Sequence, residues 1–309
     1  MIAILSQYLD NIRDNLRLDL IAEKEVIDEL QTHIEDEFQE MRETGLSEEE
    51  AADACIKLLG SAKLVARRIY EAHSQGTWKQ ALLASMPHLL FALLFALNWW
   101  QGIGWLVVML VLVLGTAIYG WSHGKPAWLF PWLGYSLLPV VMAALALLYL
   151  PKVWSWVAIL IYLPLALWLV LAVTIQVIKK DWLYSTLMLL PIPIIIGWLF
   201  TVEKDGKFLE LSLENIRYFA PWIGLSFSAL ALTVAAFIRL RQRWLKVTLL
   251  LISGFLVLTM VAFYAEGRLG LPAFLVLALV MIGFLLIPAL MERRIRNRKQ
   301  EAGAEDATR

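Results

Sequence analysis

Cysteine is nearly missing from this sequence: Cys55 stands alone among 309 residues. An intrachain disulfide and a cysteine-built zinc site are excluded, and the segment holding Cys55 is expected in a reducing compartment. Histidine is scarce as well. His33, His73, His88 and His123 are scattered, without a His-Glu-x-x-His spacing or a companion acidic cluster, so no metal site and no cofactor is read. A Gly-x-x-x-x-Gly-Lys-Ser/Thr loop is also lacking, which excludes ATP hydrolysis by that route. The opening Met1 to Leu5 is apolar, but Asp10, Asn11 and Asp14 follow without a cleavage pattern, so no signal peptide is expected. Charge itself is thin, with 17% of residues charged against 60% hydrophobic, outside the balance of water-soluble domains.

What charge there is lies unevenly. Residues 1 to 79 carry 17 acids and 9 bases, net −8, and the remainder carries 10 acids and 18 bases, net +8. In the acidic part, Val26, Ile27, Leu30, Ile34, Phe38 and Met41 recur at three- and four-residue steps, the pattern of an amphipathic helix. Gly45 should stop that helix, because glycine takes the left-handed conformation without a Cβ clash. Ser47 followed by Glu50 reads as a capping box opening a helix whose apolar face is Ala51, Ala52, Cys55, Ile56 and Leu59. Gly60 ends it and Ser61 can cap a last helix through Leu64, Val65, Ile69 and Tyr70. With a first helix near Leu5 to Leu16, the segment predicts a four-helix module over 1–78, whose small core implies modest stability. It is not read as an enzyme.

Glu29-Leu30, His33, the run Gly45-Leu46-Ser47-Glu48-Glu49-Glu50-Ala51 and Leu59-Gly60 resemble the HAAS-type domain, also described as a permease prefix domain. The resemblance covers residues 1 to about 75. It implies a cytosolic signalling or regulatory adaptor preceding membrane-spanning regions of a bacterial kind, found beside PadR-like transcription regulators or fused to transporter permeases. A transcription regulator or a transporter subunit is the partner it suggests. Where family members often carry Asp or Pro after the second glycine, this chain has Ser61-Ala62.

After Lys79 the texture changes. Apolar segments run at about 81–100, 102–121, 127–150, 153–178, 182–201, 219–238, 244–264 and 271–291. A hydrocarbon layer of about 30 Å needs about 20 helical residues, and a backbone in lipid must satisfy its own hydrogen bonds. The fold class is therefore all-α: a polytopic membrane protein of seven to eight spans, best counted as eight, over 79–292, with a small N-terminal cytosolic bundle. The first two spans are separated only by Gln101-Gly102-Ile103-Gly104, which requires a tight hairpin. Placing the head in the cytoplasm puts 12 Lys/Arg in the inner loops and 5 in the outer ones, so both termini are expected on the cytoplasmic side of the plasma membrane. Many of the 14 tryptophans, among them Trp78, Trp99, Trp100, Trp121, Trp154, Trp182, Trp222 and Trp244, fall near span ends, whereas Trp168 is mid-span. The outer loop 202–218 reads either as a hairpin about Asp205-Gly206 or as a short interfacial helix through Leu209, Leu213 and Ile216. A basic stretch and then a disordered tail are expected over 293–309, with the disorder from Glu301 onward.

No Asp or Glu lies within these spans, which disfavours proton relays and ion-coupled transport. His88 is the titratable exception, read as an interhelical or water-bonded side chain, with a ligand pocket or pH response as the alternative. Pro191-Ile192-Pro193 should interrupt its helix. Glu35, Asp36, Glu37, Glu48 and Glu49 read as a solvated face; the sharper reading docks them on Arg239, Arg241 and Arg243 of a cytoplasmic loop. The same negative charge argues against nucleic-acid binding. Two functions stay open: a non-enzymatic membrane regulator whose head relays the state of the membrane body to a cytosolic protein, or a permease component with a regulatory prefix. A lipid-acting enzyme is the weakest third, for want of in-span carboxylates or a nucleophile–base pair.

Overall fold

A computed structural model describes residues 3–16, 20–135, 164, 168, 171–178, 181–204, 207–266 and 269–307. The chain divides into two compact units: Met1–Gln75 with Arg241–Arg243, and Gly76–Leu240 with Trp244–Arg309.

The first unit contains α1 (Ala3–Asn15), α2 (Leu20–Glu43), α3 (Glu48–Leu59) and α4 (Ala62–His73). Leu5, Tyr8, Leu9 and Ile12 on one stripe of α1, with Leu16 just beyond it, meet Ile27 and Ile34 of α2, Ala52 and Cys55 of α3 and Ala66 of α4 in one buried cluster. Helix α1 packs most against α4, and α2 against α3. Gly45 and Gly60 adopt φ of +96° and +89°, the left-handed turn that closes α2 and α3. The capping box is formed at both bonds: the Glu50 N–H donates to Ser47 Oγ at 3.3 Å, and the Ser47 N–H donates to Glu50 Oε2 at 3.1 Å. Ser61 stands at the N-cap of α4, but its side chain makes no cap bond there; its carbonyl accepts the Leu64 and Val65 N–H groups. The Tyr8 hydroxyl donates to the Gly60 carbonyl at 2.8 Å, tying α1 to the turn before α4.

The second unit comprises α5 (Trp78–Ala96), a 3-10 turn Trp99–Gln101, α6 (Ile103–Ser122), α7 (Leu129–Gly134), a helical stretch at 171–178, α8 (Trp182–Leu189), α9 (Pro191–Val202), β1 (Glu203–Lys204), β2 (Lys207–Leu211), α10 (Leu213–Arg239), α11 (Arg243–Tyr264, whose first residue is counted with the first unit) and α12 (Leu271–Ala307). Among the described residues, six helical segments are long and apolar enough to cross a bilayer: Trp78–Ala96, Ile103–Ser122, Trp182–Val202, Leu213–Arg239, Arg243–Tyr264 and Leu271–Arg294. That is the architecture of a helical membrane protein. The expected third and fourth spans, 127–150 and 153–178, fall mostly outside the described residues.

Neighbouring helices run antiparallel, as contacts at their ends show. Near the end of α5, Gln101 accepts a bond from Arg217 early in α10 at 2.9 Å. At the opposite end, the Gly76 N–H donates to the Ile238 carbonyl. Tyr218 of α10 donates to Glu266 beyond α11 at 2.7 Å, and Trp222 stacks on Tyr264. The start of α8 meets the far part of α12, where the Trp182 N–H donates to Glu292 Oε2. The pair α5/α10 makes the most extensive contact of all. Small residues permit it: a Cβ at Gly224 would lie 3.1 Å from the Ala92 carbonyl oxygen.

Three sequence expectations are modified. In the loop 202–218 the hairpin alternative holds, since β1 pairs antiparallel with β2; the short interfacial helix does not form, because Leu209 lies in β2 and Leu213 and Ile216 open the long helix α10, capped by Ser212. A two-stranded ribbon is thus set into the all-α class. Helix α12 continues to Ala307 where disorder is expected from Glu301; the Glu and Ala residues of 301–307 are good helix formers, and extending an existing helix avoids the cost of nucleation. The predicted interruption falls at Leu190, between α8 and α9, because neither Pro191 nor Pro193 can donate a backbone bond.

Candidate functional site

The interior of the second unit is the first place to look for chemistry, because a polar group enclosed among apolar helices is costly unless it has work or a partner. Helix α5 carries His88 on the face turned to the bundle, fully buried. Its ring meets Tyr135 edge-on with centroids 5.0 Å apart. Phe91, one residue short of the next turn of α5, packs on Tyr135 at 5.4 Å and on Phe227 of α10 at 4.6 Å, completing an aromatic cluster. Among the described residues, neither the two ring nitrogens of His88 nor the Tyr135 hydroxyl find a hydrogen-bond partner, and the buried Ser185 Oγ is likewise unmatched. His88 and Tyr135 thus bring two imidazole nitrogens and one hydroxyl into this cluster, without a nucleophile–base contact among the described side chains.

A second polar locus lies where α8 begins. Asp181, buried, accepts the Leu183 N–H at 3.1 Å, and Glu292 accepts the Trp182 N–H at 3.3 Å, so two carboxylates from different helices face one helix N-terminus. Thr186 donates to the Phe284 carbonyl, which adds a second tie between α8 and α12. Lys246, counted in the sequence with the loop cations, is wholly buried in α11 with its ammonium 5.1 Å from the Phe237 ring centre. Tyr135 and Lys246 are not identifiable as site residues from sequence; Asp181 has a signal, an N-cap acid ahead of an apolar run.

Trp100, Gln101, Leu213, Glu214 and Arg217 line a half-open hollow of about 500 Å³ beside the 3-10 turn. Its cation is already engaged by Gln101.

The residues expected to dock head on loop are distributed differently from one another. Glu35 accepts from Gln31 at 2.9 Å, Glu48 pairs with Arg42 at 2.9 Å, Asp36 and Glu49 face solvent, and Glu37 lies near enough to Cys55 to help burial push that thiol up. Arg239 belongs to the second unit, where it donates to the Gly76 carbonyl at 2.9 Å and lies 4.5 Å over the Trp78 ring. Arg241 and Arg243 belong to the first. Arg241 donates to Gln75 and its carbonyl accepts from Ser74, while Arg243 sits 5.6 Å from the Tyr70 ring centre. These two arginines therefore gather at the C-terminal end of α4. Elsewhere in the unit, bonds from Ser47 hold the Glu50 carboxyl below the usual range, and burial raises the Tyr8 hydroxyl.

Among the described residues no group of three or more His, Cys, Asp or Glu side chains converges as a metal cage would. The fold and these loci define a class, a helical membrane protein with a separate N-terminal helical unit. No family model, no curated protein and no solved structure matches the chain.

Proposed function

We propose that the chain is a non-enzymatic regulatory protein of the plasma membrane, with eight spans over 79–292, both termini in the cytoplasm, and an N-terminal unit that relays the state of the spans to a cytosolic protein. One observation carries the reading: the N-terminal unit incorporates Arg241–Arg243, the link between α10 and α11. Three peptide junctions, 75–76, 240–241 and 243–244, therefore join the two units, instead of the single junction of a tethered domain. A shift of α10 against α11 pulls on the unit through two of them. The unit's acidic helices supply the surface a partner reads, and the resemblance to the HAAS-type domain agrees with an adaptor of this kind.

Photo-crosslinkers placed at Asp36 and Glu49 in native membranes test the proposal. One defined cytosolic protein should be captured, and its yield should fall when the Arg241–Arg243 link is replaced by glycines and serines. Failure to capture any partner, combined with solute flux through the purified chain in liposomes, would favour the other reading, a permease component. That reading has its own support in the unmatched polar atoms of His88, Tyr135 and Ser185 within the bundle.

A further inference from the structure

The first unit is electrically divided. Residues 1–56 hold sixteen acids and four bases, net −12; residues 57–75 hold four bases and one acid, and Arg241 and Arg243 join them, giving net +5. The exposed face of α4 concentrates that positive charge. Lys63 and Arg67 stand on it one turn apart, as do the exposed Leu64 and Arg68 beside them; Lys57 and Leu58, near the end of α3, are exposed as well. Arg67 bonds Glu71 at 3.0 Å; among the described residues Lys57, Lys63 and Arg68 make no ion pair. The opposite face of α4, with Ala66 and Tyr70, is buried in the unit.

We infer that this basic face of α4, which carries the exposed Leu64, docks on the anionic headgroups of the bilayer. Charge complementarity selects that occupant: a surface of lipid phosphates offers many acceptors to cations spread over a helix face, and each basic residue near such a surface contributes enough to tighten docking about fivefold. Leu64 adds an apolar side chain that the headgroup boundary can receive. Chain length fits as well. Only residues 74–77 separate α4 from α5, and four residues span at most about 14 Å. The acidic helices α1 to α3 are repelled by the same lipid, so the unit is oriented with its basic face down rather than adsorbed at random. This inference goes beyond the regulatory reading and needs only that the apolar helices sit in a bilayer.

The test uses the full chain carrying Cys55→Ala and Leu64→Cys, with an environment-sensitive bimane at position 64, in phosphatidylcholine nanodiscs with or without about one-third phosphatidylglycerol. Emission should shift to the blue and iodide quenching should fall only in the anionic discs, and high salt should reverse both. Lys63→Gln with Arg68→Gln should lower the ratio of docked to undocked chain about 25-fold, as two fivefold steps. Salt titration of the singly labelled chain measures the same docking without those variants. Equal quenching in neutral and anionic discs overturns the inference. So does protection that persists in neutral lipid or grows with protein concentration, which would mark a protein surface, such as a second copy, as the occupant. None of these readings depends on capture of a cytosolic partner.

Discussion

The two units use the same helices to opposite ends. In the first, Ile12, Ile27 and Ile34 are buried and the acids and most cations face outward. In the second, Leu232 and Phe263 are 74% and 77% exposed, while His88 and Lys246 are fully enclosed. The solvent each unit meets explains the inversion. Water drives apolar surface inward, so the head is held by burial of Leu, Ile and Ala. Lipid exerts no such drive between helices, so the body is held by close packing at Ala92 and Gly224 and by polar ties such as the bond from Trp198 to Ser226.

Substitutions that treat the units alike should separate them. The largest effect belongs to the head: Ile12→Ala should cost about 3 kcal/mol and open the unit, seen as rapid hydrogen exchange in α1 and α4 with the spans still protected. Next, Gly224→Leu should push α10 from α5 at a cost of about 1–3 kcal/mol, read as a lower melting temperature in detergent with exchange in α1 to α4 unchanged. Asp181→Ala should follow at about 1–2 kcal/mol, since it removes a buried cap from α8 and leaves Glu292 alone at that terminus; protease nicking near residue 181 reports it.

Acid should act on the head through Glu50. Its carboxyl is lower in the folded unit than in the unfolded chain, so its contribution is present above the unfolded value of 4.5 and disappears as pH falls through the folded one. Glu50→Ala should therefore flatten the pH dependence of α3 exchange below that value and leave neutral-pH exchange only slightly faster. Smallest of all, Leu232→Ala should change stability by less than about 0.5 kcal/mol despite deleting an apolar side chain, because lipid replaces the lost contact. A large loss there would mean that α10 has another protein surface against it.

Much of the local structure is readable in the sequence because local chemistry sets it. Gly45, Gly60 and the Ser47/Glu50 box are signals confined to a few residues, and they act in the structure where the spacing puts them. The break near Pro191 is equally local. In loop 202–218 the hairpin signal is obeyed, whereas the helical spacing of Leu213 and Ile216 belongs to the start of α10 and not to a helix of its own. The tail departs from expectation because composition typical of disorder is also composition typical of a helix once α12 supplies the nucleus. Of the site, His88 is visible as a lone polar group in an apolar run; its meeting with Tyr135, which in turn packs on Phe227, joins three distant segments and has no local signature.

The sequence by itself determined the solvent of each part. Bilayer-length apolar runs and an acidic amphipathic stretch are properties of composition and period, which survive any arrangement of helices. Tertiary structure alone decided which polar groups are enclosed and which arginines belong to which unit. Lys246 and Arg243 lie one turn apart on α11, yet one is buried in the apolar unit and the other joins α4, because burial depends on what packs across a helix face and not on the neighbours along it.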